Sequence, residues 1–320
     1  MRRVVKANNI IRGCISTVKP KTMISPILSD VSLRDGIQGA NPADYTTSKK
    51  LNVLRKICDK HTPTNIEIGA FVSPAVLPIM KDTAKIFEQV PPILSAFDKT
   101  ANLYALVPNK VGLFNAIDCG FTNFSFITSV SNAFQFKNTG KNLMEKKIEL
   151  HEMMKYIAEL KTPAKTKLYV SCINECPVIG FIDSDFVIYE ILSSYSQTNQ
   201  YSQYGQYDEI CISDTMGTLK WRDFEYIVDG LLRFGMPKTQ LSVHLHVNDE
   251  NAANAKQILY ACFRRGINRF DVSILSEGGC SVTMDPDKLK PNMTYEFFYN
   301  TYDEYIKEYN IMDITGIKIR

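Results

Sequence analysis

At 320 residues and 36.3 kDa, with 45% hydrophobic and 22% charged side chains, the chain has the composition of a folded protein, large enough for two average domains or one big one. It can bury roughly three quarters of its unfolded surface, and no apolar run approaches the ~18–20 residues of a spanning helix, which excludes an integral helical membrane protein. The net charge is +3, but residues 1–29 hold Arg2, Arg3, Lys6, Arg12, Lys19 and Lys21 and no acid; removing those six from 37 leaves 31 basic against 34 acidic residues. A nucleic-acid binder spreads its cations over a folded face, so nucleic acid is not an expected partner, and neither is a membrane.

Residues 1–21 read as a basic N-terminal extension, either a flexible lead-in or a mitochondrial transit peptide, since they are Arg-rich and acid-free. No secretory h-region is present. Eight cysteines, at 14, 58, 119, 172, 176, 211, 262 and 280, are scattered rather than framed for disulfides. A reducing intracellular compartment is therefore expected, cytoplasmic, or mitochondrial if the leader targets. Cys172 and Cys176 are four apart, the wrong spacing for a two-residue zinc knuckle.

In chain order, strands are predicted at 24–31, 65–71, 102–107, 123–128, 167–172, 208–213, 241–246 and 269–274. Helices are predicted between them, at 48–60, 75–89, 110–119, 142–160, 183–195, 221–235 and 251–265. Eight strands alternating with helices imply parallel βαβ units, and at this length the economical closure is a (β/α)8 barrel spanning 22–300, followed by a C-terminal helix and tail over 301–320. An open doubly wound sheet is the alternative. Residues 194–208, SYSQTNQYSQYGQYD, lack an apolar period and read as a low-complexity insertion on the face away from an active site.

His244-Leu245-His246 ends the seventh strand. Residues i and i+2 of a strand share a face, so both imidazoles project together, as metal ligands or as two core side chains. Arg34, Asp35 and Gly36 follow the first strand, where Gly36 permits a tight turn. Glu67 interrupts the apolar run NIEIGAF, and a buried carboxylate needs a partner, for which Arg34 is the candidate. Asp214 and Thr215 follow the sixth strand, and Gly278-Gly279-Cys280 the eighth. All these lie at C-terminal strand ends, the face on which barrel enzymes build their active sites. The convergence points to a metal-dependent enzyme.

SDVSLRDGIQ, IEIGAFVSP, YALVPN, TSVSNAFQFKN, YVSCINECP, ISDTMGT, HLH and EGGC occur in the order found in 3-hydroxy-3-methylglutaryl-CoA lyases. Over residues 24–300 the chain resembles that family, part of the DRE-TIM metallolyase superfamily with pyruvate carboxyltransferase-like barrels. The resemblance implies a divalent cation, Mg²⁺ or Mn²⁺, held by Asp35, His244, His246 and Asn292. It also implies a catalytic Arg34, active-site carboxylates Glu67 and Asp214, a mobile-loop thiol at Cys280, and a base supplied by Asp214 or His244. Gln38, Asn132, Lys137, Asn138 and Thr215 are the implied substrate contacts. The implied reaction is reverse Claisen cleavage of an acyl-CoA to acetyl-CoA and acetoacetate, in a homodimer.

The sequence departs from the family pattern in its lid. Ser276-Glu277-Gly278-Gly279-Cys280 has exchanged a glycine for a carboxylate, and the intervals from Cys280 to Asn292 and after His246 are longer. Two other readings remain open at this stage: another aldol or Claisen enzyme of the superfamily, and a catalytically weak homologue that binds. Condensing enzymes usually carry further C-terminal material, which favours the lyase.

Overall fold

A computed structural model describes residues 25–160, 162–199, 207–278 and 289–315. The leader, Gly279 and Cys280 lie outside the described residues, as do 200–206 of the low-complexity stretch. Eight parallel strands close into a barrel in the order β1 (Ile27–Asp30), β10 (Arg269–Val272), β9 (Leu241–Leu245), β8 (Glu209–Asp214), β5 (Lys165–Ser171), β4 (Asn123–Ser129), β3 (Asn102–Leu106), β2 (Asn65–Ala70). The predicted (β/α)8 barrel is the observed fold, with each of the eight strands within a few residues of its expected place. A short antiparallel hairpin, β6 (Glu175–Cys176) and β7 (Gly180–Phe181), stands outside the barrel after β5.

Helices α2 (Thr47–Lys60), α8 (Trp221–Arg233) and α9 (Ala252–Arg265) show why the ring packs. Each presents an apolar stripe at helical spacing; on α8 it is Phe224, Ile227, Val228 and Leu231, all buried against the strands. Thr46 caps α2 by accepting the Lys49 N–H, and Asn142 forms a reciprocal capping box with Glu145 at the start of α6 (Leu143–Ala158).

Two expectations need correction. The helix predicted at 75–89 is instead α3, Thr83–Ala96. Pro78 keeps Leu77 out of the helical region (φ −135°, ψ 76°), so residues 78–80 form a 3-10 turn and α3 starts beyond it. It then runs through Pro91 and Pro92, held by buried Val90, Ile93 and Leu94. The expected loop at 194–208 is helical as far as Asn199, the end of α7 (Ser184–Asn199). At its far end Tyr207 is buried and Asp208 accepts the Thr166 N–H at 2.8 Å, which ties residues 207 and 208 into the base of the barrel.

Helix α10 (Tyr295–Thr315) closes the ring, with Tyr295 donating its hydroxyl to Asp30 at 2.9 Å. Burial raises Asp30 to about 6 against the Ser32 N–H and that hydroxyl. Its charge therefore burdens the fold above pH 6, and the burden lifts as pH falls from about 6 towards the ~3.9 of a free carboxyl. Asp30→Asn is expected to exceed wild-type stability by about 1–3 kcal/mol at pH 8, with no advantage near pH 4, as read by chemical denaturation. A difference independent of pH would contradict this. No helix of the described residues is long and apolar enough to cross a membrane.

Candidate active site

Beyond β1, the N–H groups of Arg34 and Gly36 both donate to the Val31 carbonyl, folding the chain into a tight turn. A side chain at Gly36 would press on Ser273 Oγ at 3.1 Å. The turn sets Arg34 and Asp35 over the barrel mouth, both buried. The guanidinium spans two carboxylates, with Nε at 2.5 Å from Glu67 Oε2 and Nη1 at 2.5 Å from Asp35 Oδ1. Glu67 thus has the partner its sequence context required, and it also accepts from the Ser125 and Tyr169 hydroxyls. Arg34 lies over the Tyr169 ring at 4.8 Å.

Across the mouth, β9 delivers His244 and His246 on one face, as the spacing demands. Their Nε2 atoms are 3.3 Å apart and lie 3.7 and 4.0 Å from Asp35 Oδ2. Each Nδ1 faces an acceptor: Asp271 Oδ2 at 3.1 Å for His244 and the Lys290 carbonyl at 2.9 Å for His246. Those acceptors put the ring proton on Nδ1 and leave both Nε2 lone pairs facing one another beside a carboxylate oxygen. Such a trio repels itself unless a cation lies between its members. Burial, and then the neighbouring His244 ring, lower His246 to about 4, which keeps it neutral and ligand-competent.

Asn292 supplies a second indication. It forms an isolated antiparallel bridge with His246 and is 1% exposed, yet its Oδ1 has no hydrogen-bond partner. An orphaned buried oxygen on the residue bridged to His246 offers a further ligand atom beside the Asp35, His244 and His246 group, and two nitrogens with two oxygens would suit a divalent cation. Among the described residues, Asp35, His244 and His246 are the group of His, Cys, Asp or Glu that could hold a metal. Gly278 packs directly on Asn292: a Cβ there would collide with the Asn292 amide.

Beneath His244 runs a chain of buried charges that sequence reading did not identify. Asp271 pairs with His244 and with Lys167, and Lys167 also pairs with Glu209 at 2.9 Å. Burial alone would raise Asp271, but Lys167 and His244 overcome it and pull the carboxyl down to about 2. Asp271 therefore stays ionised and fixes the His244 tautomer. The signal was available: Lys167 and Asp271 are charges inside apolar strands, as Glu67 is. Asp271→Asn is expected to weaken Mn²⁺ binding about 10–100-fold, measured by calorimetry; unchanged affinity would remove this role.

A cavity of about 100 Å³ opens over these residues. Its lining includes the polar side chains of Arg34, Asp35, His244, His246, Gln38, Asn138 and Thr215 and the apolar ones of Val72, Leu106, Ile127 and Phe134. Three expected site residues fall elsewhere. Asn132 accepts the Leu143 N–H and joins α5 (Asn132–Thr139) to α6. Lys137 is exposed and does not line the cavity. Asp214 reaches the right end of β8 but on its outer side, because strand alternation gives the inner positions to Ser213 and Thr215. Its carboxylate accepts the Thr218 and Leu219 N–H groups, and burial holds it up at about 6. It shapes the turn that presents Thr215 rather than the cavity wall.

The HMGL-like family model matches residues 25–294. The chain belongs to the HMGL-like family. It is 26% identical over 255 residues to the hydroxymethylglutaryl-CoA lyase YngG of Bacillus subtilis, covering 79% of this chain and 78% of that one. It is also 26% identical over 261 residues to the 3-hydroxy-3-isohexenylglutaryl-CoA/hydroxy-methylglutaryl-CoA lyase of Pseudomonas aeruginosa, covering 79% and 77%. The fold superimposes on the HMG-CoA lyase of Brucella melitensis with a TM-score of 0.72 at 21% identity, over 88% of this chain and 91% of that one. An HMG-CoA lyase of Acinetobacter baumannii, solved with coenzyme A and 3-methylmalate, gives 0.70 at 21% identity over 92% and 85%. As a member of this family the chain is a carbon–carbon lyase, and family members use a divalent metal.

Proposed function

We propose that this HMGL-like lyase cleaves 3-hydroxy-3-methylglutaryl-CoA to acetyl-CoA and acetoacetate, with Mg²⁺ or Mn²⁺ held by Asp35, His244, His246 and Asn292. The observation that carries the reading is the convergence of Asp35, His244 and His246 beside a buried arginine on one cavity, with the buried, unpartnered Asn292 Oδ1 on the residue bridged to His246. Curated relatives named for the same reaction support it, as does the coenzyme A complex of a structural neighbour.

A cation in that site supplies Lewis acidity towards the substrate's C3 hydroxyl and carboxylate. The remaining tasks fall to side chains. His244 Nε2 is the one basic atom of that ring, since Nδ1 is committed to Asp271. That nitrogen is the one offered to the cation, and Asp271 holds the ring in the tautomer that turns its lone pair towards Asp35 and His246. When the carbon–carbon bond breaks, charge develops on the thioester oxygen. Arg34, with Nε and Nη1 fixed by Glu67 and Asp35, offers its Nη2 edge to that oxygen without having to reorganise. Gln38, Asn138 and Thr215 orient the substrate, Val72, Leu106, Ile127 and Phe134 exclude water, and Cys280 returns a proton to the enolate carbon.

The test is product stoichiometry. With 3-hydroxy-3-methylglutaryl-CoA and Mn²⁺, acetoacetate and acetyl-CoA should appear in equal amounts. An intact substrate after prolonged incubation would sink this reading and move the search to other acyl-CoA or 2-oxoacid substrates.

A further inference from the structure

Directly behind the cavity wall the chain leaves β5 through Cys172, which adopts φ +62°, a left-handed conformation that few side chains tolerate. The bend turns the following residues back, so that Cys172 and Cys176 come together, both reduced and only 0% and 1% exposed. The Cys172 thiol is turned towards the Cys176 sulfur. The same sulfur accepts the Ser131 hydroxyl at 3.0 Å and the Val178 N–H at 3.3 Å, and the Ile179 N–H lies on the same side of it. Ser131 Oγ also accepts the Phe134 N–H, which leaves its own hydrogen for the sulfur.

Four donors aimed at one sulfur form a cradle for a thiolate, not for a neutral thiol, which is a weak acceptor. The hydrogen bond from Cys172, with those from Ser131 and the two backbone N–H groups, outweighs burial and lowers Cys176 to about 5. Burial and the Cys176 sulfur push Cys172 upward. The pair is thus divided into a nucleophile and a protonated neighbour. Its position ties it to the active site: Ser171 lines the cavity, and the Cys172 N–H donates at 2.8 Å to Thr215 Oγ1, also on the cavity wall.

We propose that Cys172 and Cys176 are a peroxide-oxidisable dithiol that closes reversibly to an intramolecular disulfide. The Cys176 thiolate attacks one oxygen of hydrogen peroxide; the O–O bond breaks, hydroxide departs, and the sulfur becomes a sulfenic acid. The Cys172 sulfur then displaces the hydroxyl from Cys176, and its own proton leaves with that hydroxyl as water. Two thiols are oxidised and one peroxide is reduced. The sulfurs have to close to the ~2.05 Å of a disulfide. An external dithiol reverses the step. None of this depends on which acyl-CoA the enzyme cleaves.

The experiment treats the full-length protein with hydrogen peroxide, blocks remaining thiols with iodoacetamide, and maps the cysteines by mass spectrometry. The expected product is a Cys172–Cys176 link that disappears with dithiothreitol. Dimedone should trap a sulfenic acid at Cys176 in the Cys172→Ser protein, and nothing at Cys172 in Cys176→Ser. The proposal fails if wild-type protein shows no such link, or if Cys176 oxidises no faster than the buried Cys58 and Cys262. The wild-type map decides even if a variant does not fold.

Discussion

His246→Ala is expected to lower carbon–carbon cleavage by about 10³-fold or more, the rate equivalent of the several kcal/mol that a bound cation contributes to charge stabilisation. His246 is held from three sides. Its Nδ1 is committed to the Lys290 carbonyl, its ring is buried, and its Nε2 faces His244 and Asp35. No other side chain lining the cavity could replace that nitrogen without moving β9, whose register against β8 pairs Ser213 with His244. The loss should fall mainly on kcat and should be accompanied by weakened Mn²⁺ binding, measured by calorimetry on the same protein. Full activity in the variant would remove His246 from the centre.

The second large effect concerns Arg34, where rate and stability can be separated. Arg34→Met leaves the Glu67 carboxylate buried with only the Ser125 and Tyr169 hydroxyls. Breaking one side of a buried ion pair costs about 3–5 kcal/mol. It should also cost about 10²–10³-fold in kcat, as removal of a preorganised donor to a developing oxyanion does. The double variant Arg34→Met/Glu67→Gln removes the stranded charge, so most of the stability should return while the rate does not. Recovery of both would show that Arg34 is only a structural counter-ion.

Much of this site was legible in the sequence because strand periodicity is strict. The two-residue spacing of His244 and His246, and a carboxylate at position 67 among isoleucines, each state which side chains share a face. The barrel itself followed from eight apolar runs separated by amphipathic segments. Periodicity does not say which face is the inner one, and Asp214 fell on the wrong side for that reason: Ser213 and Thr215 took the interior. Asn132 and Lys137 belong to a motif that resembles the family's, but helix α5 turns one towards the α6 junction and the other to solvent.

Other features depended on contacts between distant segments. Lys167 and Asp271 are 104 residues apart and meet only once the barrel closes. Asn292 was found through resemblance, and its position gained physical content only when its oxygen proved buried and unsatisfied. The start of α3 was misread because the stretch before it has a helical apolar spacing that Pro78 overrides locally.

In the proposed function Asp35, His244, His246 and Asn292 together hold the cation on which cleavage depends. The most direct measurement titrates chelator-treated protein with Mn²⁺. Free ion is followed by electron paramagnetic resonance and acetoacetate by assay in the same samples. Binding and product formation should rise together and saturate at one ion per chain. Product formed by the chelated protein, or a saturated site that yields no acetoacetate, would contradict it.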